Sequence, residues 1–261
     1  MNVKQSKNPF EVTLTLMTWL IVIVLWFIFT NVGEMSSLLL PSPQVVWQTF
    51  MNIVQNGYGN VSLWQHLSDS FVRLFWAVSL AFITAVPLGL MSGYFSKFKA
   101  IVDSIVQFYR PIPPLAYYAL LILWMGIDDG SKVTLLYLAA FAPIYIACVA
   151  AVNSVSQDYI LSSKSLGASQ KDVFTKVVLP ACMPDIFTGL RTAMGFAYTT
   201  LVAAEMTAAT SGIGWMVIDA SRYLRSDVMF VGIIIMGITG IIMDGGLLLL
   251  ENKLVFWKGK D

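Results

Sequence analysis

The polar stretch Ser165-Leu166-Gly167-Ala168-Ser169, followed by Val177-Val178-Leu179-Pro180, lies between two long apolar segments, residues 133–152 and 186–208. A membrane protein has little reason to keep so patterned a hydrophilic loop unless the loop engages something outside the bilayer. The stretch therefore indicates a docking surface between two membrane spans.

The composition around this loop is that of an integral membrane protein. Hydrophobic residues make up 57% of the 261 residues, charged residues make up 12%, and the mean hydropathy is +0.73. Soluble globular proteins contain roughly 25% charged residues. We expect one all-α transmembrane domain over residues 1–261, without a separate soluble catalytic domain, which needs about 100 residues or more.

The sequence shows no pattern that is typical of catalysis, metal binding or nucleic-acid binding. Sixteen basic residues nearly balance 15 acidic ones, which gives no sign of nucleic-acid binding. Cys148 and Cys182 have neither metal-ligand spacing nor a disulfide framework. His66, the only histidine, has no neighbouring cysteine or paired carboxylate. We expect no catalytic residue, no metal site and no cofactor bound by this chain.

Six segments are predicted to cross the membrane, because a spanning helix needs about 20 mainly apolar residues. The third segment is interrupted by Arg110-Pro111-Ile112-Pro113-Pro114, and internal prolines remove backbone donors. It is either one kinked span or an interfacial helix followed by a short span. The six segments cover residues 12–30, 71–91, 101–125, 133–152, 186–208 and 228–250.

The distribution of basic residues predicts the orientation by the positive-inside rule. With six spans, one side receives Lys4, Lys7, Lys97, Lys99, Lys164, Lys171, Lys176, Lys253, Lys258 and Lys260, and the other side receives Lys132, Arg222 and Arg225. Both termini and the loop over residues 155–180 are therefore predicted to be cytoplasmic. This pattern indicates a multi-pass membrane protein.

Two further patterns concern packing. After a turn at Pro41-Ser42-Pro43, apolar residues recur at helical spacing over residues 45–54, which predicts an amphipathic helix along the outer surface. Gly89 and Gly93 form a GxxxG, and Gly189 begins a small-xxx-small series, so helices are expected to approach closely there. That contact is either within the chain or between two copies.

Within the polar loop, local signals predict two short helices. Ser169 is placed as an N-cap with Asp172 three residues on, a capping box that starts a helix through Val178, and Pro180 is expected to stop it. Gly167 permits a sharp bend after an earlier helix over residues 157–165. Two short helices joined at a glycine make a rigid knob that suits a groove in another protein.

At these residues the chain resembles the permease subunits of binding-protein-dependent ABC importers. Their cytoplasmic motif runs Glu-Ala-Ala, then glycine, then a hydrophobic residue two before Leu-Pro. Here Leu161-Ser162-Ser163 stands in place of the triplet, whereas Gly167 and Leu179-Pro180 keep the expected spacing.

The resemblance covers nearly the whole chain and is greatest for the branch that imports nitrate, aliphatic sulfonates and taurine. Within that branch the chain looks most similar to taurine permeases. The runs that carry this resemblance are Leu40-Pro41-Ser42-Pro43, Tyr109-Arg110-Pro111-Ile112-Pro113-Pro114-Leu115-Ala116-Tyr117, Trp124-Met125-Gly126-Ile127, Leu201-Val202-Ala203-Ala204-Glu205 and Gly212-Ile213-Gly214.

The resemblance implies a MetI-like fold, a location in a bacterial inner membrane and a set of partners. Two permease copies would form the path, two ATPase subunits carrying ATP and Mg would dock on the cytoplasmic loops, and a periplasmic or lipid-anchored binding protein would deliver substrate. The sequence agrees that ATP is hydrolysed by a separate subunit, because it has no G-x-x-x-x-G-K-[ST] phosphate loop. The implied ATPase-coupling residues are Lys164, Ser165, Leu166, Gly167, Ala168, Ser169, Leu179 and Pro180.

Ionisable residues in apolar segments supply candidates for the pathway, because a charge at mid-membrane costs about 2.5–3.5 kcal/mol. Asp103, Gln107 and Arg110 share one helical face. Either this face lines the pathway and Arg110 attracts a sulfonate, or it is the polar side of an interfacial helix and Arg110 pairs with Asp103 or a lipid phosphate. Pro113, Pro114 and Tyr117, beside the break, are the neighbouring pathway candidates.

Three further ionisable residues have two interpretations each. Glu205 either accepts hydrogen bonds that hold an outer gate shut or pairs at the interface with Arg222 or Arg225. Asp244 is expected to be a packing or dimer-contact group. Arg191, six residues after Asp185, is expected to snorkel or to anchor the loop.

Two alternative functions remain open. The chain is a permease for another small anion, such as an alkanesulfonate or nitrate, or it belongs to a different class and is an ATP-independent secondary carrier. Secondary carriers often have broken helices at matching places in two halves. In this sequence only the span over residues 101–125 is broken, which favours the importer.

Overall fold

The computed structural model describes residues 9–31, 36 and 38–257. The predictions that concern Lys4, Lys7, Lys258 and Lys260 lie outside the described residues. The described part of the chain is built from helices, with one π-helical turn, Phe174–Val178, between α8 and α9. The helices are α1 (Pro9–Asn31), α2 (Pro43–Asn56), α3 (Leu63–Tyr94), α4 (Ser96–Tyr109), α5 (Pro114–Met125), α6 (Asp129–Ser154), α7 (Gln157–Ser165), α8 (Gln170–Val173), α9 (Leu179–Ala208), α10 (Ile213–Arg222) and α11 (Ser226–Leu254).

Five helical segments of the described chain are long and apolar enough to cross a membrane. They contain the predicted segments 12–30, 71–91, 133–152, 186–208 and 228–250, and most extend past them by several residues at one or both ends. The segments are Phe10–Asn31, Leu63–Tyr94, Asp129–Ser154, Gln170–Ala208 and Ser226–Leu254.

The remaining predicted span, residues 101–125, is two separate helices and not one kinked helix. α4 ends at Tyr109, a turn closes with a hydrogen bond from Ile112 N to Tyr109 O at 3.0 Å, and α5 begins at Pro114. The 12 residues of α5 rise about 18 Å, less than the roughly 30 Å of a hydrocarbon core. A short apolar helix, α5, therefore takes the place of the full-length span that the sequence also allowed.

The centre of the fold is a three-helix stack of α3, α6 and α9, and small residues set its spacing. A Cβ atom added at Gly89 of α3 would lie 2.6 Å from Cys148 Cβ and 2.8 Å from Tyr145 O of α6. Gly189 of α9 lies directly against Ala147 of α6. The predicted close approaches are therefore contacts within the chain, where backbones meet without intervening side chains.

α1 stands apart from this core. None of its apolar window is buried, and only Trp26 and Thr30 are partly covered. Trp26 donates its indole N–H to Pro41 O at 3.0 Å and stacks on Phe230 with a centroid distance of 5.7 Å. A single aromatic side chain thus attaches an otherwise exposed helix to the rest of the protein.

A second apolar cluster lies beside the three-helix stack, where α2 packs on α10 and the start of α11. The predicted amphipathic helix over residues 45–54 is confirmed as part of α2, whose Val46 and Ile53 are buried in this cluster. Thr49 Oγ1 donates to Asp227 Oδ2 at 2.9 Å. Tyr58 donates its hydroxyl to Asp219 Oδ2 at 3.0 Å, and burial together with this carboxylate raises the pKa of Tyr58 to about 12.

The spacing of α3 and α6 yields a prediction for two glycine substitutions. Gly89→Ala should destabilise the fold by about 1–3 kcal/mol, because the new methyl group overlaps the α6 backbone. Gly237→Ala in α11 is the matched control, since no atom lies within 4 Å of its added Cβ. Thermal unfolding of both purified variants in detergent measures the difference, and equal melting temperatures would contradict the packing described.

Candidate functional site

The predicted knob is present as the hairpin of α7 and α8, called here the α7–α8 hairpin (residues 157–173). Gly167 adopts φ +84°, the left-handed conformation that favours glycine. Ala168 N donates to Ser163 O at 3.1 Å and Gly167 N donates to Lys164 O at 2.9 Å. These two bonds form a Schellman motif, which closes the C-terminus of α7 and fixes the bend.

The second half of the hairpin begins as the sequence predicts. Ser169 is the N-cap of α8: Asp172 N donates to Ser169 Oγ at 3.2 Å, and Ser169 Oγ donates to Asp172 Oδ2 at 2.5 Å. Ala168 is partly buried against the core, whereas Lys164 and Ser165 are exposed. The capped turn therefore presents one side of the hairpin outward and anchors the other.

Three apolar side chains of the hairpin are exposed among mostly polar neighbours. Leu166 is 89% exposed, and Tyr159 and Leu161 of α7 are 60% and 58% exposed. α7 has no buried residue. Leu166 at the tip is the most exposed large apolar side chain of the described residues, which makes the tip a candidate contact for a partner.

The expectation that Pro180 stops the helix is wrong. α8 continues through the π turn into α9, so that Gln170–Ala208 is one helical run of 39 residues. Leu179 N donates to Phe174 O, five residues back, and this wider turn accommodates a proline that has no N–H and whose ring crowds the preceding turn. Trp257 Nε1 donates to Pro180 O at 3.2 Å. The hairpin is thus continuous with a membrane-spanning helix.

A cavity of about 650 Å³ lies between the α4–α5 turn, α6 and α9. Three of the five pathway candidates, Arg110, Pro114 and Tyr117, are on its wall. Pro113 is the N-cap of α5 in the adjoining turn, and Glu205 lies elsewhere. The other polar side chains on the wall are Tyr109, Ser154, Asp185, Thr188, Thr192 and Thr200.

The charged face of α4 agrees with the helical spacing, but the proposed pair of Arg110 and Asp103 does not form. Asp103, Gln107 and Arg110 line a common depression. Asp103 Oδ1 accepts a hydrogen bond from Tyr145 Oη at 2.6 Å, and Arg110 makes no ion pair with it. The predicted pairing of Arg110 with Asp103 is therefore wrong: the ion-pair partner of Asp103 is Lys99, one turn earlier in α4, at 3.9 Å, whereas Arg110 lies nearly two turns further on.

Arg191 of α9 and Asp244 of α11 form an ion pair between these two helices. The Nε and Nη2 atoms of Arg191 donate to the two carboxylate oxygens of Asp244 at 2.9 and 2.8 Å. Asp244 thus serves intramolecular packing. Because Arg191 pairs with α11, it makes no ion pair with Asp185 of its own helix.

Glu205 lies in a buried charged cluster that sequence reasoning did not find. Its Oε1 accepts from Arg73 Nη1 at 2.9 Å and from Ser70 Oγ at 2.7 Å, and its Oε2 accepts from Gly214 N at 2.9 Å. Arg73 also donates from Nε to Asp129 Oδ1 at 2.7 Å. The predicted pairing with Arg222 or Arg225 is wrong. The available signal was Arg73, a charged residue inside the predicted apolar span 71–91.

The same cluster fixes the loop between α9 and α10. Ile213 N donates to Ser70 Oγ at 3.1 Å, and Gly212 N donates to His66 Nδ1 at 3.1 Å. Because Nδ1 accepts, His66 donates from Nε2 to Tyr58 O at 3.1 Å, which defines its neutral tautomer. A Cβ atom at Gly212 would overlap the Glu205 carboxylate. The loop can approach the charged pair this closely because it carries glycines.

Comparison with known proteins adds family information to this geometry. The family model described as a binding-protein-dependent transport system inner membrane component matches residues 85–255. The taurine transport system permease protein of Escherichia coli (strain K12) is 39% identical over 251 residues, which cover 96% of this chain and 91% of that protein. A putative aliphatic sulfonates transport permease protein of Bacillus subtilis (strain 168) is 33% identical, covering 91% of this chain and 85% of that protein.

A more distant relative and a solved structure extend the comparison. The nitrate import permease protein of Synechocystis sp. is 31% identical, covering 90% of this chain and 86% of that protein. The inward-facing MetNI methionine ABC transporter aligns with a TM-score of 0.59 and 17% identity, covering 82% of this chain and 97% of that one. The structural match concerns the fold alone.

The buried cluster yields a stability prediction. Glu205→Gln should lower the free energy of unfolding by about 3–5 kcal/mol, because Arg73 loses its buried partner and an amide N–H2 replaces an accepting oxygen. Asp128→Asn is the control, since this exposed carboxylate makes no cap hydrogen bond at the start of α6. Melting temperatures in detergent distinguish them. A Glu205→Gln variant as stable as the parent would show that the cluster contributes little.

Proposed function

The chain belongs to the family of binding-protein-dependent transport system inner membrane components. We propose that it imports a small sulfonate across the inner membrane and that taurine is this sulfonate. It is an ABC permease of the taurine, sulfonate and nitrate branch, a transport component without its own ATPase site. The observation that favours taurine is 39% identity over 96% of the chain to a taurine permease, against 33% and 31% for the sulfonate and nitrate relatives.

The α7–α8 hairpin is the proposed dock for the ATPase subunit, which holds ATP and Mg. Three observations support this: the exposed apolar group with Leu166 at its tip, the fixed bend at Gly167, and the continuity of α8 with α9. A partner that closes on ATP and pulls the hairpin would therefore act on α9 through the π turn. The proposed contacts are Lys164, Ser165, Leu166, Gly167, Ala168 and Ser169, with Leu179 and Pro180 in the continuing helix.

The complete transporter is proposed to contain two copies of this chain, two ATPase subunits and an external binding protein. The exposure of α1 supports a second copy, because apart from the contacts of Trp26 this helix leaves its surface free for lipid or for another subunit. Both termini are proposed to be cytoplasmic on the strength of the lysine distribution. In that orientation α2, α10 and the loop at Tyr58 face the binding protein.

Reconstitution tests the proposed function directly. Proteoliposomes that contain this chain and its ATPase should accumulate labelled taurine when ATP is enclosed and the binding protein is added outside, and the purified complex should contain two copies of the chain. Ethanesulfonate and nitrate as competitors measure the alternatives. Accumulation driven by an ion gradient without ATP would instead identify a secondary carrier.

The bend of the α7–α8 hairpin yields a prediction for coupling. Gly167→Val should reduce ATP-driven uptake roughly fivefold or more, because a β-branched residue in left-handed conformation costs about 1–2 kcal/mol and reorients the hairpin. Uptake and ATP hydrolysis are measured in the same vesicles.

Gly167→Asn is the control for this experiment, since asparagine tolerates left-handed backbone, and no atom lies within 4 Å of the added Cβ. Lys164→Ala, which changes charge but not the bend, should have a smaller effect than Gly167→Val. Full uptake by the valine variant at normal assembly would refute the mechanical role of the bend.

A further inference from the structure

The wall of the 650 Å³ cavity carries one cationic and one anionic side chain, Arg110 and Asp185. We propose that these two residues form a binding site for a zwitterionic aminosulfonate, with Arg110 holding the sulfonate and Asp185 holding the ammonium group. The inference rests on the proposed function and adds to it a chemical reason for selecting a zwitterion over a simple anion.

Arg110 is placed to receive an anion. It is exposed at the end of α4, where the α4–α5 turn breaks the helical path, and it reaches the cavity from that turn. Among the described residues it makes no ion pair and no side-chain hydrogen bond, and Asp103 on the same face of α4 pairs instead with Lys99. A guanidinium group offers five N–H donors in a planar fork, which matches the oxygens of a sulfonate.

Asp185 is placed to receive a cation. It is exposed near the start of α9, and within the described chain no lysine or arginine lies within ion-pair distance of it. The nearest basic residue on its own helix, Arg191, is held by both oxygens of Asp244. Asp185 therefore keeps its full hydrogen-bonding capacity for a ligand.

The surface between the two charges is suited to a small polar solute. Asp185, Thr188 and Thr192 follow one another at i, i+3 and i+7 on α9, so one face supplies a carboxylate and two hydroxyl oxygens. Both threonine hydroxyls donate to backbone carbonyls at 3.0 Å and are available to a solute as acceptors. Tyr109 and Tyr117 also line the cavity, and the hydroxyl of Tyr109 donates to a backbone carbonyl of α6 at 3.4 Å. A volume of about 650 Å³ is in the range of small-molecule sites and exceeds what a two-carbon solute fills, so water can remain.

Opposite charges give the site its selectivity. A zwitterion satisfies both Arg110 and Asp185, whereas an alkanesulfonate or nitrate satisfies Arg110 alone and is repelled by Asp185. The zwitterionic headgroup of phosphatidylethanolamine shares this chemistry. The test must therefore separate a soluble aminosulfonate from a lipid.

The experiment measures ligand protection of a cysteine in the cavity. Thr192→Cys in the purified chain, in maltoside detergent, is labelled with a maleimide, and the native Cys148 and Cys182 give little background because both are fully buried. Taurine should slow labelling at a concentration about tenfold lower than ethanesulfonate or ethylammonium, because it makes two charged contacts where each of the others makes one. Thr188→Cys repeats the measurement if the first variant folds poorly.

Charge-neutral variants assign the two roles. Asp185→Asn should abolish the advantage of taurine over ethanesulfonate, and Arg110→Gln should abolish protection by both sulfonates. Asp128→Asn and Arg222→Gln are the matched controls, because both positions are exposed, lie outside the cavity and make no side-chain hydrogen bond or ion pair within the described residues. Both controls should behave as the parent.

Several results would overturn the proposal. These are equal protection by taurine and ethanesulfonate in the parent, no protection by any of the three ligands, a taurine advantage that survives Asp185→Asn, or the same losses in the two controls. Protection in nanodiscs by phosphatidylethanolamine but not by phosphatidylglycerol, without any effect of taurine, would assign the site to lipid. Failure of ATP-driven uptake by the complete wild-type transporter refutes the proposed function, whereas normal uptake with no taurine advantage refutes only this site.

Discussion

The close approach of α3, α6 and α9 is the constraint on which the rest of the structure depends. In a membrane, burial of apolar surface does not by itself bring helices together, so contact requires small residues and well-placed polar groups. Gly89 against the α6 backbone and Gly189 against Ala147 supply the first requirement. Arg73 and Glu205 supply the second at one end of the stack, where Arg73 of α3 bonds to the buried Glu205 of α9 and to the exposed Asp129 of α6.

The two ends of α9 differ in a way that suits transmission of movement. One end is fixed, because Glu205 and the loop that follows are bonded to α3. The other end continues through the π turn into the exposed α7–α8 hairpin. A force applied at the hairpin therefore acts on a rod that is held at its far end, and tilting is the movement that such an arrangement permits.

Local signals and long-range contacts differed in how well they could be predicted. The α7 bounds, the bend at Gly167 and the cap at Ser169 follow from short-range chemistry and were predictable from the sequence. The continuation past Pro180 was not, because it depends on a π turn that relieves a proline within a tertiary context. The partners of Glu205 and Asp103 were also missed, since the groups that decide them, Arg73 and Tyr145, are distant in sequence.

Charged side chains in this protein divide into two groups, and the division bears on transport. Arg191 and Asp244 pair on a partly exposed surface, whereas Arg73 and Glu205 pair in the buried core. An unpaired charge there would carry a large desolvation cost, so pairing serves the fold. Arg110 and Asp185, on the cavity wall, are unpaired among the described residues. Unpaired charges that are exposed to water contribute little to the stability of the fold. A solute that must be released again is best held by a few contacts of this kind, which remain accessible to water.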